Sequence, residues 1–205
     1  MKGEGFGLKS EKFFYLGIAV LVGVLVGTSF SFGLFSGLEN FFEDLFFSPK
    51  PIDSDVVILA IDSDSINRIG QWPWPRKIFA DAFLKLEENQ PKAVGFDVML
   101  SEPSRLGGDD DSTLAKALDK ISYSVVFPSE AEPVILEEGR VEAGGFLQPL
   151  NIFLTKAVTL GHVNLILDRD GIVRRFPVSV ENFRAFSYEL IKKSGRDIPG
   201  EDSLG

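Results

Sequence analysis

Residues 13–38 carry no charged side chain. As a helix that run rises roughly 39 Å at about 1.5 Å per residue, enough to cross a hydrocarbon core of about 30 Å. It has no polar face, so it cannot pack one side on a soluble core and leave the other in water. Its flanks differ in charge. Lys2, Lys9 and Lys12 precede it among Glu4 and Glu11, whereas Glu39, Glu43 and Asp44 follow it and the next base is Lys50. The lysine bias predicts residues 1–12 in the cytoplasm, a transmembrane helix over 13–38, and everything after residue 39 across the membrane. Two readings compete with an uncleaved anchor. A signal peptide has an apolar stretch of about 7–15 residues ahead of a small-residue cleavage site, but this run is longer and no Ala-x-Ala follows it. A buried helix of a soluble protein would keep a polar face.

Inside the run, Gly23 and Gly27 form one small-xxx-small pattern, and Gly33 and Gly37 a second. Such spacing lets another helix approach closely, and in lipid that packing is the main attraction between helices. A helix partner or a homodimer through these glycines is the expected consequence. Phe41, Phe42, Leu45, Phe46 and Phe47 are expected to extend the helix and rest their side chains at the membrane interface. Ser48-Pro49-Lys50-Pro51 stops it. Residues 39–54 therefore read as a juxtamembrane extension and linker.

Beyond residue 54 strand and helix patterns alternate. Residues 55–62 are a short apolar run between acids, as for a strand buried on both faces. Pro75 suits the first position of a helix, and Ile78, Phe79, Ala82, Phe83 and Leu86 share one face before Pro91 ends it. Residues 92–99 read as a second buried strand, and a strand–helix–strand crossover of this length predicts a right-handed parallel unit. Asp109, Asp110 and Asp111 precede a helix marked by Leu114, Ala117, Leu118 and Ile121. Residues 123–127 read as a third strand. Residues 129–142 are acid-rich, a loop or an exposed hairpin. Residues 160–167 and 172–178 flank Asp170-Gly171, which favours a hairpin turn, and residues 186–193 form a final helix. The predicted fold class is α/β: a βαβαβ parallel-type sheet followed by a β-hairpin, preceded by one transmembrane helix.

Charge and composition narrow the function. A net charge of −9 leaves no basic stripe for phosphates, so no nucleic-acid partner is expected. Cysteine is absent, which excludes a disulfide and a thiolate metal site. His162 is the sole histidine, and no serine stands in a nucleophile elbow, so no catalytic triad is expected.

Several strings, taken in order, resemble a known family. They are Val57-Ile-Leu-Ala-Ile-Asp-Ser-Asp-Ser65, Trp72-Pro-Trp-Pro-Arg76, Gly95-Phe-Asp-Val98 with Ser101-Glu-Pro103, and Gly161-His-Val-Asn164 with Asp170-Gly-Ile-Val-Arg-Arg175. Together, across residues 40–195, they closely resemble the second class of CHASE sensory domains, extracytoplasmic domains of bacterial receptors. The resemblance implies an N-terminal anchor in the bacterial plasma (inner) membrane and a periplasmic or extracellular sensor over residues 55–205. It also implies further membrane helices and a cytoplasmic output, such as a nucleotide cyclase, a histidine kinase, a serine/threonine kinase or a diguanylate cyclase. With no second apolar run before Gly205, the sensor is expected to be incomplete at its C-terminus.

Asp62 and Asp97 close two predicted parallel strands, and ligands of open α/β sheets collect in the crevice beyond such ends. With Trp72, Trp74, Arg76 and Glu102 on adjoining loops they form the candidate ligand-binding set. It offers carboxylates for a cationic or polar ligand, rings for stacking, and Arg76 for an anion. Clustered carboxylates also suit a divalent cation, although neither a metal site nor a cofactor is predicted. The competing structural reading has Asp62 and Asp97 capping the next turns and pairing with Arg76. Likewise, Asp109–Asp111 either cap a helix or bind a cation, and His162 either bonds structurally or senses pH or a ligand. Arg174 and Arg175 either pair at the surface or bind an anion.

The expected function is a receptor's sensor module that perceives a small ligand, an ion or an envelope partner and relays it through membrane helices, with no catalysis in this chain. Two alternatives stay open. One is an envelope scaffold that does not signal. The other is a haloacid-dehalogenase-like phosphatase with Asp62 as nucleophile and Asp64 as acid/base. The second lacks a suitably placed lysine, and Trp72–Arg76 stands where a cap or a threonine belongs.

Overall fold

The computed structural model describes residues 5–32, 36–46, 55–132, 134–137, 140–168, 170–174 and 176–198. The chain divides into two compact units, Met1–Ala60 and Ile61–Gly205.

The first unit holds α1 (Gly5–Ser31) and α2 (Ser36–Phe46). Among the described residues one helical stretch is long and apolar enough to cross a membrane, the 20 residues Lys12–Ser31, and none of it is buried. Its hydroxyls bring their own acceptors. Thr28 Oγ1 donates to the Val24 carbonyl at 2.9 Å, Ser29 Oγ to Leu25 at 2.7 Å and Ser31 Oγ to Gly27 at 3.0 Å. Bonding back to the preceding turn satisfies these hydroxyls within the helix itself. Of the helix expected from residue 13 through the juxtamembrane phenylalanines, the described residues carry α1 up to Ser31 and α2 from Ser36 to Phe46. Gly33, the stop at 48–51 and the linker to residue 54 lie outside the described residues.

Residues 56–60, expected as part of a buried first strand, belong to no strand. Val57, Ile58 and Leu59 are 79%, 84% and 70% exposed. An apolar run does not name its partner, and an extended segment becomes a strand only with a hydrogen-bonding neighbour.

The second unit begins with α3 (Ser63–Ile69) and α4 (Arg76–Glu87), followed by β1 (Ala93–Gly95), α5 (Gly108–Leu118) and β2 (Ser124–Ala131). A hairpin of β3 (Val134–Glu137) and β4 (Arg140–Ala143), the short β5 (Phe146–Leu147), a 3-10 turn (Asn151–Phe153) and β6 (Val158–His162) come next. The described chain ends with the hairpin β7 (Ser179–Val180) and β8 (Phe183–Arg184), and α6 (Phe186–Lys193). β2 is the hub of the sheet. β1 lies parallel to its first residues, β6 lies parallel along Val125–Ser129, and β5 runs antiparallel to Glu130 and Ala131. The sheet is therefore mixed. Of the βαβαβ series, the β1–α5–β2 crossover is present, and the unit ahead of it lacks its first strand. The helices expected near 75–89, 112–120 and 186–193 all form.

The hairpin expected around Asp170-Gly171 is also different. Of its expected first half, residues 160–167, only residues 160–162 form strand, as the end of β6 in the parallel ladder with β2, and residues 163–168 and 170–174 belong to none of the strands β1–β8. Here Asp168 N–H donates to the Ile172 carbonyl and Gly171, at φ +81°, donates to the Asp168 carbonyl. Arg174 bridges Asp168 and Asp170 at 3.0 Å and 2.9 Å, with the Arg174 and Asp168 side chains both nearly buried. That charge cluster closes the turn in place of a strand ladder.

One face of the sheet carries Val94, Val125, Phe127, Val158 and Leu160, which pack with Phe79, Phe83, Leu114, Leu118 and Phe153 of α4, α5 and the 3-10 turn. Covering this face with two amphipathic helices is what positions the loops beyond the carboxyl ends of β1, β2 and β6.

Candidate functional site

The loops at the head of α4 and α5 are tied by a clasp centred on Arg76. Pro75 precedes the first residue of α4, so the Arg76 amide points out of the helix end, and Asp110 Oδ2 accepts it at 2.9 Å. Asp110 also accepts the Lys77 amide at 3.2 Å and the Ser104 hydroxyl at 2.6 Å. The guanidinium turns inward. Its Nε donates to Asp111 Oδ1 at 3.2 Å and its Nη2 to the Glu102 carbonyl at 2.9 Å. Asp111 accepts the Ser104 amide as well, at 2.9 Å. Burial alone would push the Asp110 carboxyl up, but the Ser104 hydroxyl, the two amides and the Arg76 charge outweigh it and hold it below the usual aspartate value. Asp109, Asp110 and Asp111 fill the first turn of α5, where carboxylates also favour the helix dipole. One acidic run thus serves two helix ends.

An aromatic cluster sits beside the clasp. Trp74 is buried and donates its Nε1–H to the Gly70 carbonyl at 2.7 Å. Trp72 packs edge-on against Trp74 and Phe79, and Phe79 against Phe96, at centroid distances of 5.6, 6.0 and 5.2 Å. Asp62 caps α3, taking the Ser65 amide at 2.8 Å and the Ser65 hydroxyl at 2.7 Å, and those bonds lower its pKa.

At the carboxyl edge of the sheet, Asn164 extends the ladder with its side chain. Its Oδ1 accepts the Ala131 amide and its Nδ2 donates to the Ala131 carbonyl, both at 2.9 Å. A side-chain amide carries one acceptor and one donor at nearly backbone spacing, so it substitutes for the next residue of β6. Asn164→Ala is expected to destabilise the unit by about 1–2 kcal/mol, because two backbone groups of β2 lose their partner. Urea unfolding measures the loss, and faster exchange of the Ala131 amide locates it.

The family model for the CHASE2 domain matches residues 18–202. The chain belongs to the CHASE2 family. CHASE2 is a family of extracytoplasmic sensory domains rather than catalytic ones. No curated protein and no solved structure matches the chain.

Within this CHASE2 domain the sequence-predicted site residues separate by environment. Arg76 and Trp74 face inward, while Asp62, Trp72, Asp97 and the side chain of Glu102 are exposed. Arg76 meets Glu102 through its carbonyl, and Trp72 meets Trp74. Asp62 takes the capping role of the structural reading, and its premise as the end of a strand does not hold. Among the described residues no three His, Cys, Asp or Glu side chains gather as metal ligands. Arg174 takes the pairing role of its two readings, with Asp168 and Asp170 as partners and a nearly buried side chain. Three features have no counterpart in the sequence reading: the ladder role of Asn164, the burial of that Arg174 pair, and the burial of Ser129. The first two carry a faint signal in a polar residue that interrupts an otherwise apolar stretch. Arg175 lies outside the described residues.

Proposed function

We propose that this chain is the sensing half of a membrane receptor, held by α1 in the bacterial plasma (inner) membrane with its N-terminus cytoplasmic and residues 39–205 outside. The observation that carries the reading is the CHASE2 match, which begins within the apolar helix and continues through the α/β unit. The ligand contacts proposed are Asp62, Trp72, Trp74, Arg76, Asp97 and Glu102. The Arg76 guanidinium already has a carboxylate and a carbonyl, whereas the groups open to solvent are carboxylates and the Trp72 ring. That balance favours a cationic or polar ligand over an anion.

Relay requires the ligand to prefer one arrangement of membrane helices over another. A Cβ placed on Gly23 or Gly27 meets nothing within 4 Å, so this small-residue face of α1 has room for a second helix. The absence of cysteine makes topology directly testable. Lys120→Cys, on an exposed turn after α5, is expected to react with a membrane-impermeant maleimide in intact spheroplasts. Lys2→Cys is expected to react only after lysis. Protection of Lys120→Cys until lysis would place the domain in the cytoplasm and overturn the proposal.

A further inference from the structure

His162 is the only histidine of the chain and is fully buried. It ends β6 level with Ser129 of β2, so the two side chains share one face of the sheet at its carboxyl edge. The ring stacks on Phe176, with centroids 6.0 Å apart and planes at 22°. The His162 backbone bridges to Ala185 at the head of α6, and Ala185 N–H donates to the Val178 carbonyl. The imidazole therefore sits where the sheet meets the strap of residues 176–185 that carries β7 and β8.

Neither ring nitrogen has a hydrogen-bond partner among the described residues, and neither has the Ser129 hydroxyl. Burial lowers the imidazole pKa. The Pro177 and Val178 carbonyls, close to the ring but outside hydrogen-bond geometry, oppose that shift without cancelling it. No charged group shares in the shift. β6 itself carries none besides His162. Glu130 on β2 and Arg184 on β8 are half-exposed, as is Glu189 on α6, and Glu181, Lys192 and Lys193 are exposed. Arg174, next to the strap, is engaged by Asp168 and Asp170. An imidazolium in this place would hold two N–H donors and a full charge with no counter-ion among the described residues, and the Pro177 and Val178 carbonyls of the strap are acceptors that influence the ring.

We propose that proton uptake by His162 moves the 176–185 strap against the sheet, making this edge of the domain an acid-responsive switch. The switch rests on the geometry of β6 and the strap and holds whether or not the domain relays a signal. Its sign follows from the lowered pKa. The opened state, with an ordinary histidine value of about 6.5, binds the proton more readily than the closed one. Closure is at full strength above about pH 6.5 and is lost progressively as pH falls through that value towards the lower closed-state one.

The test uses the full chain in lipid nanodiscs. Hydrogen exchange, corrected for intrinsic rates, is compared from about pH 7.5 to about pH 5, the range in which an unshifted histidine titrates. Amides of β6 and the strap are expected to lose protection as pH falls, while those of α5 do not. In His162→Gln, which cannot titrate, that pH dependence should vanish. Unchanged protection in the native chain, or an equal loss in His162→Gln, overturns the proposal. Should the variant misfold, NMR titration of the single imidazole decides. A midpoint coinciding with the loss of protection supports the switch, and one that does not coincide overturns it.

Discussion

Replacing Arg76 with alanine is expected to lower the unfolding free energy of the α/β unit by about 3–5 kcal/mol, the range for removing one partner of a buried ion pair. The cost lies in what remains. Asp111 loses the guanidinium Nε and keeps the bond from the Ser104 amide, with a side chain only 6% exposed. The Glu102 carbonyl loses its donor as well, and the aliphatic stem of Arg76 no longer fills its place in the packing. Urea unfolding of the single variant gives the magnitude. The double variant Arg76→Met with Asp111→Leu separates charge from packing, since removing both charges together is expected to recover most of the loss. A loss below about 1 kcal/mol for Arg76→Ala would mean that the pair behaves like an exposed surface bridge. Acid acts on the same clasp through Asp110. Its carboxyl is held below the usual value in the fold, so its contribution is present above about pH 4 and is lost as pH falls through the lower folded-state value.

That clasp also shows where sequence reading stops. Helices α4, α5 and α6 were legible because apolar side chains recurring on one face identify a buried stripe without reference to any other part of the chain. The short strands around Val94 and Val125 were legible from apolar runs bounded by turn residues. Arg76 and Asp111 meet across 35 positions, and nothing local marks two charges as each other's partner. The sequence therefore offers Arg76 as a ligand group on a loop and does not show that it also joins two helix ends. Residues 55–62 show the reverse limit. Their composition fits a buried strand, yet pairing is a property of the neighbour, and Val57 to Leu59 stay exposed. The role of Asn164 is not legible in the sequence because a side chain acting as backbone has no periodicity. His162 was visible as a lone histidine, but whether it bonded, bound or titrated depended on Phe176 and the strap, which only the fold brings to it.

Gly161→Ala is expected to cost about 3 kcal/mol, and Gly95→Ala about 1 kcal/mol, although both glycines face the same helix. A Cβ on Gly161 would stand 2.5 Å from Phe186 Cα and 2.9 Å from Phe186 N, both backbone atoms in the first residue of α6. It cannot be accommodated by a rotamer. Either α6 retreats, which pulls on the bridge between His162 and Ala185, or β6 slides from its ladder with β2. On Gly95 the same atom would meet the Phe186 ring at 2.9 Å and Leu190 Cδ2 at 3.2 Å, the far ends of side chains that can turn aside. Urea midpoints of the two variants test the ordering. A Gly95→Ala loss equal to or above that of Gly161→Ala would show that α6 shifts as a body more easily than the Phe186 ring turns. The seat of this helix on the sheet would then be set by its ring contacts rather than by the close backbone approach that Gly161 allows.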